Sequence, residues 1–130
     1  MRILHLADRL TDRGGAYTWM LGVLGVLIEA GHDVVVSSHR FAGNGRAMIV
    51  GDTEGLVKVV AEVGPDGRAG RILGVHLVGP WVTEQLGQAY LAVNWEATVD
   101  DVAAHIQPHP TLSELFGEAV LSLTGRSLHG

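Results

Sequence analysis

The sequence predicts an α+β fold: a mainly antiparallel sheet with helices packed on it, preceded by a βαβ opening. Three observations carry this. Two β-branched runs, at 56–62 and 71–78, flank the strong turn signal Gly64-Pro65-Asp66-Gly67. Stretches of helical character then follow without another strand among them. Ahead of the hairpin stand a short apolar run, a helical stretch and a second apolar run. Strands gathered before helices mark α+β rather than alternating α/β architecture.

Each element has its own signal. Residues 1–7 are a short apolar run of strand length, and 8–15 a charged loop closing on Gly14-Gly15. Residues 16–30 place Trp19, Met20, Val23, Leu24, Leu27 and Ile28 at spacings of three and four, one broad helical face. Gly31 suits the left-handed position that ends a helix. Val34-Val35-Val36 is a second strand, and 41–46 a turn-rich connector. After the hairpin, 80–94 reads as a helix with Pro80 near its first turn and Val82, Leu86, Ala89, Tyr90 and Val93 on its apolar side. Thr98 can cap a short helix through Ala104, with Asp100 and Asp101 where the helix dipole favours acids. The last helix is expected over 112–123, stopped by Gly125.

Composition narrows the function classes. The chain has 130 residues, 47% hydrophobic and 18% charged, a one-domain length with a globular balance. Such a length buries roughly two-thirds of the unfolded surface, enough for one core without disulfides or metals. The net charge of -5 offers nothing to a phosphate backbone, so nucleic acid is not an expected partner. The longest apolar stretch, 17–28, is about half a membrane span, and charges of both signs are spread before it. A soluble, cytoplasmic chain with no membrane partner is expected. No cysteine is present, which excludes a thiolate metal site or a dithiol redox centre within these residues. Seven histidines raise the question of metal, and His105 and His109 are four apart, but Pro108 and Pro110 break any helix between them. No metal site is expected. His76 reads as a sheet histidine, and Trp19, Trp81 and Trp95 as core or interface residues.

The informative string is His109-Pro110-Thr111-Leu112-Ser113-Glu114. Thr111 with Glu114 three residues on is a capping box for the final helix, which by itself accounts for both. The functional alternative is a His109–Glu114 pair. A carboxylate in the first helical turn can reach back to the imidazole, fix its tautomer and raise the basicity of its outer nitrogen, as a general base near neutral pH requires.

That string, with Gly117-Glu118-Ala119 and the ending Thr124-Gly125-Arg126-Ser127-Leu128, resembles the C-terminus of the dihydrolipoyl dehydrogenase family. The resemblance extends upstream through Asn44-Gly45-Arg46-Ala47, Glu54-Gly55-Leu56-Val57-Lys58, the 71–80 strand and the helix from Glu84 to Thr98. It covers the chain from about residue 41, with a possible start at Glu29. It implies the dimerisation domain of that family, a homodimer, and a histidine that reaches into the partner subunit's active site. By that resemblance His109 is the acid/base, Glu114 its orienter, and Pro110 sets the histidine's backbone. The full-length family uses FAD and NAD and a redox-active cysteine pair. This chain has no cysteine and no Gly-x-Gly-x-x-Gly loop; Gly43-Asn44-Gly45 lies in the connector and does not follow a strand as a nucleotide loop must. No cofactor is therefore expected in this chain.

Residues 1–36 differ. Met1 to Leu10 and Arg13-Gly14-Gly15-Ala16 resemble the opening βαβ of a two-domain (GT-B-type) glycosyltransferase, where the Gly-Gly loop lies at the substrate cleft. Gly14-Gly15 also reads as a plain turn into a helix. Two origins imply a chimera: one domain over 1–130, with 1–36 as opening and 37–130 as dimerisation-domain-like segment, the seam within 29–34. The expected role is a non-catalytic homodimerisation module that self-associates through its hairpin face and C-terminal helices. The alternatives are a dihydrolipoyl dehydrogenase fragment supplying His109 and Glu114 in trans, and a glycosyltransferase-like ligand-binding remnant.

Overall fold

A computed structural model describes residues 3–7 and 33–126. The helix expected over 16–30, the Gly14-Gly15 loop and Trp19 lie outside the described residues. Four strands form one sheet: β1 (Ile3–Ala7), β2 (Val34–Arg40), β3 (Leu56–Val63) and β4 (Ala69–Val78), in the order β1-β4-β3-β2. β2 pairs antiparallel with β3, β3 antiparallel with β4, and β1 parallel with β4. The fold is α+β, as the sequence implied. The two strands of the opening do not lie side by side, however: the hairpin is inserted between them. β2 also runs unbroken across position 36, so one element spans the boundary between the two segments.

The hairpin forms where expected. Gly67 takes a positive φ of 77° and its N–H donates to the Gly64 carbonyl at 2.9 Å, closing the turn. Because β3 and β4 each have a strand on both sides, almost the whole of residues 56–61 and 74–79 is buried. The hairpin face expected to carry self-association is buried over residues 56–61 and 74–79.

Side chains alternate across the sheet. Val57, Val59 and Ala61 of β3, with Val75 and Leu77 of β4, point to the side that carries the helices. The helices are α1 (Gly45–Val50), α2 (Val82–Asn94), α3 (Val99–Ala103) and α4 (Glu114–Ser122). Val82, Ala89 and Val93 of α2, Val99 and Val102 of α3, and Leu115, Phe116, Ala119 and Val120 of α4 complete the core. The opposite side of the sheet bears Lys58, paired in register with the buried His76. Burial pushes the Lys58 ammonium below its ordinary range, because a charged amine loses its hydration there.

Two expectations about helices change. The 41–46 connector is a 3-10 turn over Phe41–Gly43 followed by α1. Asn44 makes that helix possible: its Oδ1 accepts from the Ala47 N–H at 2.9 Å, and Gly51 closes the far end in a left-handed conformation. Flanking glycines disguised this helix as a loop. Gly43-Asn44-Gly45 leads out of the 3-10 turn rather than directly following a strand, and the Asn44 side chain fills the helix start. In α2 the buried face is Val82, Gln85, Ala89, Ala92 and Val93, while Tyr90 is exposed. Small Ala89 and Ala92 let the helix approach the sheet closely. Gln85 is tolerated inside because its Nε2 donates to the Pro80 and Trp81 carbonyls.

Trp81 and Trp95 are exposed rather than core residues, Trp95 at 75%. Among the described residues no helix is long and apolar enough to cross a membrane.

Candidate functional site

The site lies on the segment joining α3 to α4. α3 is held by a complete capping box: Thr98 Oγ1 accepts from the Asp101 N–H at 3.1 Å, and Asp101 Oδ2 accepts from the Thr98 N–H at 2.9 Å. Hydrogen bonds from the Thr98 side chain and backbone hold the Asp101 carboxyl below the usual carboxylate range. The chain leaves α3 at Ala104 and reaches α4 through residues 105–113, where the His109–Pro110 peptide bond is cis.

The two residues singled out by the sequence are brought together. His109 Nδ1 stands 2.9 Å from Glu114 Oε2. An ionised carboxylate can only accept, so Nδ1 carries the proton and donates it. Nε2 is then left as the basic nitrogen. The His109 side chain is 68% exposed, whereas that of Glu114 is 11% exposed. The pair therefore has a fixed inner half and an open outer half, the arrangement in which a carboxylate orients an imidazole whose far nitrogen meets another molecule.

The capping reading is met only in part. Thr111 Oγ1 accepts from the Glu114 N–H at 3.2 Å, as a cap should. The return bond is replaced, since the Glu114 carboxylate turns to His109 and to Asn44. Thr111 also donates its hydroxyl to the Pro108 carbonyl at 2.8 Å, which ties the proline turn to the start of α4.

Asn44 is a participant with no role expected from the sequence. It is 3% exposed, and its Nδ2 donates to Glu114 Oε1 at 3.2 Å and to the Thr111 carbonyl at 3.0 Å. Its bonding partners lie some seventy residues away in sequence, and no local pattern announces such a contact. Gly117 is a second. A Cβ there would run into the Gln107 side chain, so a larger residue at 117 requires Gln107 to move aside.

A groove of about 580 Å³ runs beside the pair, lined in part by Ile106, Gln107, His109, Glu114, Gly117 and Glu118. Among the described residues no group of three or more His, Cys, Asp or Glu side chains is placed to hold a metal ion. At the rear of α4, Ser122 Oγ bonds His39 Nε2 at 2.8 Å, tying this helix to β2.

Comparison with known proteins agrees with this architecture. The profile of the pyridine nucleotide-disulphide oxidoreductase dimerisation domain matches residues 25–120. The match begins before the start near residue 41 that the motifs implied, and takes in the end of the opening. A dihydrolipoyl dehydrogenase of Bacillus subtilis is 42% identical over 99 residues, covering 76% of this chain and 20% of that protein. One from Thermus scotoductus is 42% identical over 101 residues, covering 78% of this chain and 21% of that protein. The crystal structure of LpdA from Mycobacterium tuberculosis shares the fold with a TM-score of 0.69 at 23% identity, over 77% of this chain and 21% of that one. The chain thus spans about a fifth of the length of the relatives it matches. By its matched residues, its motif order and its fold, the chain belongs to the pyridine nucleotide-disulphide oxidoreductase family, as a dimerisation domain.

Proposed function

We propose that these residues act as a cytoplasmic self-association module, a homodimer that is not catalytic by itself. The observation that carries this reading is the match of residues 25–120 to a dimerisation domain. The apolar side chains left open on α1 (Met48, Ile49, Val50), on the outer side of α2 (Tyr90, Leu91) and at its C-terminal cap (Trp95) supply surface for such contact. No cysteine occurs in the 130 residues, so the redox disulfide, with the FAD and NAD sites, would be contributed by other domains. Co-expression of two differently tagged copies tests the reading. Capture of one tag is expected to retain the other copy; recovery of only the captured copy overturns it.

A second reading is favoured by the His109–Glu114 geometry: the pair is the acid/base of a dihydrolipoyl dehydrogenase-type site completed in trans. The Nε2 lone pair of His109 takes the proton of a thiol, leaving a thiolate, and Glu114 stabilises the imidazolium that forms. The imidazolium later returns the proton. The chain would be mixed with a flavoprotein deprived of its own interface domain. A rise in NAD-dependent lipoamide turnover that His109→Gln abolishes is expected. No rise counts against a role in trans.

A further inference from the structure

We infer that Asn44 is the positioning residue that locks the His109–Glu114 pair, a role that rests on the acid/base reading of that pair. The partners of the Asn44 amide fix its orientation. Its Oδ1 is claimed by the Ala47 N–H at 2.9 Å, at the start of α1. That assignment forces Nδ2 to the other side, where it meets two acceptors, the Thr111 carbonyl at 3.0 Å and Glu114 Oε1 at 3.2 Å. Both amide protons and the amide oxygen are therefore used, at a position almost closed to water.

The consequence falls on Glu114. Its two oxygens face different partners, Oε1 the amide of Asn44 and Oε2 the imidazole of His109. A carboxylate gripped at one oxygen cannot rotate about its terminal bond, so the other is held at the distance the imidazole needs. A neutral donor holds Oε1 without competing with His109 for the carboxylate, as a cation would. No other side chain of this size offers an acceptor at one end and two donors at the other. Aspartate keeps the shape but sets a second carboxylate against the first and against a carbonyl. Serine keeps a capping oxygen but is too short to span both contacts.

Those two substitutions separate the positioning role from the helix-capping role, because aspartate and serine both remain good caps for α1. The readout is the tautomer of His109, from imidazole ¹⁵N shifts of the full chain above the ordinary histidine titration range, about 6.5. In the native chain the Nδ1–H form is expected to dominate. Asn44→Asp and Asn44→Ser are expected to lower the Nδ1–H to Nε2–H ratio about threefold or more, the scale of losing one charge-assisted hydrogen bond in part, with α1 amide shifts retained. An unchanged ratio in both variants overturns the role of Asn44. Glu114→Gln serves as the control on the underlying reading. If it moves the ratio while the Asn44 variants do not, Asn44 alone is dismissed. If it leaves the ratio unmoved, the pair itself fails, and the inference falls with it.

Discussion

At the scale of single residues, the site depends on close approach as much as on chemistry. Gly117 accepts the Gln107 side chain where a methyl group would stand, and Gln107 belongs to the segment that ends at His109. Gly117→Ala is expected to destabilise the chain by about 1–2 kcal/mol through overpacking. Adding Gln107→Ala should return part of that loss, which urea unfolding of the four members of the double-mutant cycle would measure. Additive losses would show that the two do not meet. Phe41 is the second such residue. Its side chain is fully buried, its N–H donates to the Gly55 carbonyl at 3.1 Å, and its ring packs where a Cβ of Gly79 would sit. Phe41→Ala should cost about 3 kcal/mol or more, seen in the same unfolding experiment. His109 and Glu114 were legible because five residues bring them within one turn of a helix start. Asn44 was not, since its partners come from a distant part of the chain and only the fold supplies them.

At the scale of elements, local signals held where the element closes on itself. The 56–78 hairpin and the Thr98-capped helix could be read directly, because turn and cap residues act on their immediate neighbours. α1 escaped because its cap reads equally as a turn between glycines. On α2, Val82, Ala89 and Val93 are buried as expected and Leu86 packs partly buried against the core, while Tyr90 is exposed and Gln85 and Ala92 take buried places that hydrophobicity did not assign them. The capping box of α3 has a pH signature. The Asp101 carboxyl is held low in the folded state by Thr98. The unfolded chain therefore binds the proton first as pH falls, and the stabilisation is present above the ordinary aspartate value, about 3.9, and lost below it. Melting temperatures of the native chain and Asp101→Asn should differ near neutral pH and converge as the solution is acidified through that range. A difference that persists at the acid end would rule the box out as its source.

At the scale of the whole molecule, the fold class was readable and the strand order was not. Grouped strands followed by helices point to a mainly antiparallel sheet with helices packed on it, and the described residues form such a sheet, with β1 added in parallel. Nothing in an apolar run such as 3–7 states which strand it will join, and β1 pairs with β4, some seventy residues later. The same long-range pairing places the two strands of the opening at opposite edges of one sheet with the hairpin between them. Exposed apolar side chains lie on α1 and along the outer side of α2, where the proposed self-association would make its contact. Charge tests that placement: Trp95→Asp puts a carboxylate at the exposed C-terminal cap of α2 and should weaken association with little effect on the melting of the chain. The most direct measurement is molar mass by light scattering on a sizing column across a dilution series. A mass of twice the 13.8 kDa of one chain, holding on dilution, is the expected result. A single-chain mass at every concentration would contradict the reading of these residues as a self-associating module.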